Sequence, residues 1–169
     1  MDQKAPEIIF TLLIGIGIIA VLAVLKFSNV QFRREFRSTA MLLASLVAVG
    51  ATLGSLYFSE TREFLPCEWC WYQRIAMYPL AVILPMATFR RDRRIIPYAL
   101  VLSLAGAGLS IYHYQLQAFP GQGSSCSLNA SCTYRWIEVF GFVSIPMLAL
   151  GSFVLISILL LATPRPWKG

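Results

Sequence analysis

At 169 residues, with 57% hydrophobic side chains, 13% charged ones and a mean hydropathy of +0.67, this chain falls outside the range of soluble globular domains and reads as a membrane protein. Its net charge of +6 is gathered in short runs between apolar segments, which marks topological anchors and argues against a nucleic-acid surface. The polar remainder is too short to bury a soluble core, so any active site has to be assembled from helix ends and connecting loops.

A spanning helix needs about 20 mostly apolar residues, and five segments qualify: 8–27, 39–58, 71–89, 95–115 and 137–163. The strict alternation of a barrel strand is absent, so the expected fold is all-α, a transmembrane helical bundle. The first segment exceeds a signal-peptide core of about 7–15 residues, lacks a small-x-small cleavage signal and is followed, not preceded, by positive charge, so it is expected to be retained. Lys26, Arg33, Arg34 and Arg37 follow it and are expected to face the cytoplasm. The second segment carries Gly50 and Gly54 at a spacing that suits close helix packing. The loop 59–66, with Glu60, Arg62 and Glu63, then falls on the opposite side. Pro79 and Pro85 lie inside the third segment, and Arg90-Arg91-Asp92-Arg93-Arg94 returns to the cytoplasmic face. The fourth segment has Gly106 and Gly108 as packing candidates. The loop 116–135 is external and rich in glycine and serine, the fifth segment contains Pro146, and Arg165 and Lys168 end on the inside. The amino terminus is therefore expected outside.

The chemistry gathers in the two external stretches. Cys67-Glu68-Trp69-Cys70 runs directly into the third apolar segment, so Cys70 is expected at a helix N-terminus, where unpaired N–H groups and the dipole favour an anion. Arg74 stands one turn deeper on the same face, and a nearby cation further favours a reactive thiolate. An ionisable side chain at a membrane boundary suggests a functional contact, here an electron-accepting ligand with polar oxygens. His113, the one histidine, falls at the same depth at the outer end of the fourth segment. Trp69, Trp71, Tyr72, Tyr112, Tyr114, Tyr134 and Trp136 form an interfacial aromatic belt, and some of them wall an aromatic pocket.

Cys126 and Cys132 lie in the second external loop, where they can close a small, mobile and therefore labile disulfide ring. Three readings compete for the four cysteines: a redox relay, two static disulfides, and a tetrathiolate zinc-like site without turnover. The relay is preferred, because a C-x-x-C at a helix start is strained as a staple and the second pair lacks the usual metal-ligand spacing. No resident metal is expected.

The run Pro66-Cys67-Glu68-Trp69-Cys70-Trp71-Tyr72-Gln73-Arg74-Ile75-Ala76-Met77-Tyr78-Pro79, with Tyr112-His113, the second cysteine pair and Phe140-Gly141-Phe142-Val143-Ser144-Ile145-Pro146, resembles the bacterial disulfide bond formation protein B family (DsbB), above all its short branch of disulfide formation protein C (BdbC-like). The resemblance covers about 39–163. It implies a DsbB-type four-helix bundle in the bacterial plasma membrane, with the cysteine loops on the extracytoplasmic side. The implied division is 1–38 as an extra transmembrane helix with its connector, 39–163 as the thiol oxidase domain and 164–169 as a cytoplasmic tail. The implied activity is that of a quinone-dependent protein-disulfide oxidoreductase that reoxidises a thioredoxin-like (DsbA/BdbD-like) partner and hands the electrons to ubiquinone or menaquinone. The redox-active pairs would be Cys67–Cys70 and Cys126–Cys132. Carried over by position, Cys126 would form the mixed disulfide with the partner, and Cys132 would bridge transiently to Cys67. Cys70 would be the thiolate facing the quinone ring, with Arg74 and His113 in the same pocket. The second pair is closer together than in the longer members, and the first helix has no counterpart in the four-span pattern.

Overall fold

The computed structural model describes residues 5–27, 30–122, 132–138 and 140–163. Among these residues there are five α-helices and no β-strand: α1 (Ala5–Phe27), α2 (Val30–Leu56), α3 (Glu68–Arg90), α4 (Ile96–Ala118) and α5 (Ile145–Ala162). α2 runs on into a π-helical turn at Tyr57–Thr61, and α4 is entered through a 3-10 turn at Arg93–Ile95. Three stretches are long and apolar enough to cross a membrane, Thr39–Thr61, Arg93–Ala118 and Ile145–Ala162, while the apolar part of α1, Thr11–Val24, is shorter. α3 has the length but carries Gln73, Arg74, Pro79 and Pro85. Large side chains point outward along the helices, including Ile19, Phe89, Tyr98 and Val101. Such a surface suits lipid, not water.

Helices α2, α3, α4 and α5 close a ring in which each packs on the next and α5 returns to α2; α1 lies outside the ring against α5. The predicted all-α bundle with one additional helix is therefore the observed fold. Ala40, Ala44 and Ala48 are fully buried at four-residue spacing on α2, a small-residue stripe that lets neighbouring helices approach closely. Hydroxyl groups join the helices where apolar contact alone gives little preference in lipid. Ser45 Oγ and Thr88 Oγ1 meet at 2.9 Å across α2 and α3. Ser103 Oγ on α4 donates to the Phe153 carbonyl of α5 at 2.9 Å and meets Ser157 Oγ at 3.0 Å.

Two expectations about small residues need correction. A methyl group at Gly50 would meet nothing within 4 Å, so Gly50 is open and borders a cavity, whose lining also includes the buried Gly54. Gly108 is likewise open, whereas Gly106 lies directly under the ring of Phe153. The close approaches that sequence spacing did not single out belong to α1. A Cβ at Gly151 would come within 2.6 Å of Ile14, and one at Gly17 within 3.2 Å of Leu155, so α1 docks on α5 through glycines. The boundaries also shift. α5 begins at Ile145 and not at 137, with Pro146 in its first turn, where the missing N–H would have had no helical partner. The preceding residues do not extend the helix: Ile137 and Val143 pack with Phe58 in a small cluster at one end of the bundle.

Gly106→Ala should destabilise the fold by about 1–3 kcal/mol, because the added methyl would collide with the fully buried ring of Phe153 and force it out of its packed position. Thermal unfolding in detergent would show a lower Tm for this variant and no loss for Gly108→Ala.

Candidate active site

The site begins with the way α3 starts. Cys67 has extended backbone (φ −73°, ψ 173°) and is the N-cap, its carbonyl accepting the Trp71 N–H at 3.2 Å, so the helix opens at Glu68, earlier than the apolar run. The C-x-x-C spacing then spans one turn and brings the two sulfurs to 3.2 Å. Both are free thiols in hydrogen-bond contact, poised at the distance from which an S–S bond of about 2.05 Å closes.

α4 delivers His113 to the same point. The imidazole is 1% exposed, with Nε2 3.4 Å from Cys67 Sγ and Nδ1 3.3 Å from the Gln73 side-chain nitrogen. With the Gln73 amide donating to Nδ1, the ring proton resides on Nε2 and points at the Cys67 sulfur. Gln73 is thus a positioning residue that sequence reading missed, although it stands in the signature run. Cys67 lies ahead of the membrane-crossing part of α3, and its thiol is held down at about 4 against an ordinary 9.0. The hydrogen bond from Cys70 is the main cause; His113 adds to it, and burial opposes it. Cys70 is pushed the other way, first by its hydrogen bond to Cys67 and then by burial and by the neighbouring anion, with Arg74 a weaker opposing influence. The sequence expectation places the anion on Cys70, from the helix N-terminus and from Arg74, and the geometry corrects it. In the dithiol state one thiolate is shared between two touching sulfurs, and the imidazole draws it to Cys67.

Arg74 is anchored away from the sulfurs. Its Nε donates to Ser55 Oγ at 3.0 Å and its Nη2 to the Ser55 carbonyl at 3.2 Å, both on α2, while the guanidinium lies 5.1 Å from the centre of the Trp71 ring. Ser55 gave no signal in the sequence, since its role arises only from the approach of α2. Between α2, α3 and α5 lies a cavity of about 110 Å³, largely apolar, whose wall includes Cys70, Arg74, Tyr78, Ser55 and Trp136, and Ile14 from α1. A flat ring bearing polar oxygens fits this combination: apolar walls, one guanidinium, and the buried Tyr78 hydroxyl, which has no hydrogen-bond partner among the described residues. A smaller pocket on the other side of the dithiol is lined by Cys67, Cys70, His113 and Gln117. Cys70 borders both.

The second loop covers this end of the bundle. Trp136 stacks on Phe64 with ring centres 5.1 Å apart and meets Tyr134 edge-on at 4.9 Å, and Arg135 donates to the Gln117 carbonyl at 3.3 Å and to Glu138 at 3.0 Å. Of the aromatic belt, Trp136 therefore does wall the pocket. Cys132 is buried and disulfide-bonded. Cys126 lies outside the described residues, as do Arg165 and Lys168. Among the described residues, the metal-capable group that converges is Cys67, Cys70 and His113, with donor atoms within 4.8 Å of one another. Cys132 is not in it, and its sulfur is disulfide-bonded.

Residues 37–163 match the family model described as disulfide bond formation protein DsbB. The chain is 51% identical over 115 residues to disulfide bond formation protein C of Bacillus subtilis, covering 67% of this chain and 83% of that protein. It is 45% identical over 129 residues to a probable disulfide formation protein C of Bacillus cereus, covering 75% and 92% respectively. A probable disulfide formation protein C of Halalkalibacterium halodurans is 47% identical over 121 residues, 70% of this chain and 88% of the relative. No solved structure matches. A helical membrane bundle that opens a C-x-x-C dithiol onto a largely apolar cavity agrees with that match, and the chain belongs to the DsbB family of disulfide bond formation proteins.

Proposed function

We propose that this protein is a quinone-dependent thiol oxidase of the bacterial plasma membrane, whose dithiol site lies on the extracytoplasmic side. It reoxidises a thioredoxin-like disulfide oxidase and so supports disulfide formation in exported proteins. The observation that carries this reading is the position of Cys70, bonded by hydrogen to Cys67 on one side and bordering the Arg74 cavity on the other. A bound quinone supplies an acceptor for two electrons and two protons. Cys67 and Cys70, which in the shared-thiolate state hold one proton between them, close an S–S bond and give up two electrons and that proton, the second proton coming from water, so one disulfide corresponds to one quinol. His113 steadies the Cys67 sulfur as an anion and Gln73 holds the imidazole; the Ser55 contacts hold Arg74 on the cavity wall, where its guanidinium would donate to a ligand oxygen. In this proposal Cys126 forms the mixed disulfide with the partner and Cys132 passes the bond to Cys67. Residues 39–163 are the oxidase unit, 1–38 an added helix that helps wall the cavity, and 164–169 a cytoplasmic tail.

A second reading, a metal-binding membrane protein without turnover, is favoured by one observation only, the convergence of Cys67, Cys70 and His113. Anaerobic mixing of the dithiol form with excess menadione separates the two. One quinol per Cys67–Cys70 disulfide is expected, with no stoichiometric metal by elemental analysis. A protein that retains one zinc per chain, keeps both thiols and forms no quinol would overturn the oxidase reading.

A further inference from the structure

The Tyr78 hydroxyl is a polar group that the dithiol chemistry does not use. Its oxygen has no accessible surface and no hydrogen-bond partner among the described residues, while the side chain that carries it lines the cavity that Cys70 and Arg74 also border, so a ligand there meets the hydroxyl once it displaces what covers the oxygen. An unpaired buried hydroxyl destabilises a folded protein, so a phenol in this position, where phenylalanine would fill the same space, calls for a ligand that completes it. Tyr78 follows Arg74 by four residues on α3, so it stands one turn deeper on the same face, its Cα about 6 Å further along the helix axis, and both side chains border the cavity. A ring with a carbonyl on each of two opposite edges has acceptors at a comparable separation.

We infer that Tyr78 is a second ligand-binding residue, its phenol donating a hydrogen bond to one ring oxygen of the acceptor while Arg74 serves the other. This rests on the quinone reading and deepens it: the cavity selects a two-carbonyl ring and fixes its long axis down α3, with one edge toward Cys70. The phenol binds and orients and takes no part in electron transfer. Its removal therefore weakens ligand binding without altering the dithiol.

The test uses full-length Tyr78→Phe in detergent, with menadione as the probe. Without ligand, the variant should unfold at the wild-type Tm or up to about 2–4 °C higher, because an unpaired hydroxyl is gone. With menadione, its dissociation constant should rise about 5-fold, the worth of one hydrogen bond, and the menadione-induced rise in Tm should shrink accordingly. Exchange of the Cys67–Cys70 pair with glutathione should stay unchanged, and Tyr98→Phe, altered at an exposed ring, should bind as wild type. Wild-type affinity in Tyr78→Phe would overturn the assignment while leaving the quinone reading standing. If the wild-type protein itself shows neither binding nor stabilisation by menadione, the quinone reading and this assignment fall together.

Discussion

Cys70→Ser is expected to lower the rate of quinone reduction by at least about 10³-fold while the helix bundle still assembles in the membrane. Cys70 is the sulfur that borders both the His113 pocket and the Arg74 cavity, so no other thiol in the site bridges the two spaces. Serine keeps the size and the hydrogen-bonding capacity of the position in the first turn of α3, and Cys67, the N-cap, remains to hold the helix start. The remaining Cys67 thiol lacks a neighbour with which to form a disulfide in the C-x-x-C turn. Single-turnover absorbance of the quinone, beside circular dichroism and membrane fractionation, gives the answer. A variant that inserts normally and reduces quinone at the wild-type rate would remove the dithiol from the mechanism.

The second large effect is the titration of the dithiol. Thiolate absorbance of the reduced protein should rise with a midpoint near pH 4, far below the ordinary 9.0, and Cys67→Ser should abolish this early step. His113→Ala should move the midpoint upward without restoring the ordinary value, since the Cys70 hydrogen bond is the larger cause and survives. The sign for stability follows from a pKa depressed in the folded state. The stabilising contribution of the Cys67 thiolate is complete above the pKa of the unfolded thiol near 9 and fades as pH falls through about 4. Reduced protein should therefore lose more stability on acidification than the form oxidised at Cys67–Cys70, whose sulfurs do not titrate. Equal acid sensitivity of the two forms would contradict the shared-anion geometry.

Hydropathy and charge were enough to read an all-helical membrane bundle with one helix beyond four, because each span is fixed by about 20 local residues. The C-x-x-C at a helix start, with Arg74 one turn on, was equally local. What escaped were properties created by neighbouring helices. The preference of the anion for Cys67 depends on His113 arriving from α4 and on Gln73 orienting it, 46 and 40 residues apart in sequence from their respective partners. Gly50 has the spacing of a packing motif with Gly54, but a methyl there would meet nothing and the position borders a cavity; Gly17 and Gly151, which lack that spacing, take the close contact between α1 and α5. The apolar run that suggested a span from 137 continues across a turn, since Ile137 and Val143 are apolar for burial in a cap over the bundle and not for contact with lipid.

The proposed relay is tested most directly by stoichiometry under exclusion of oxygen. Purified protein, catalytic in amount, is mixed with a reduced thioredoxin-like partner and menadione, and quinol and partner disulfide are counted together. The account predicts one quinol for each partner disulfide formed, at a rate that depends on both substrates. Partner oxidation without quinol, or no oxidation of the partner while Cys67 and Cys70 remain thiols, would contradict it.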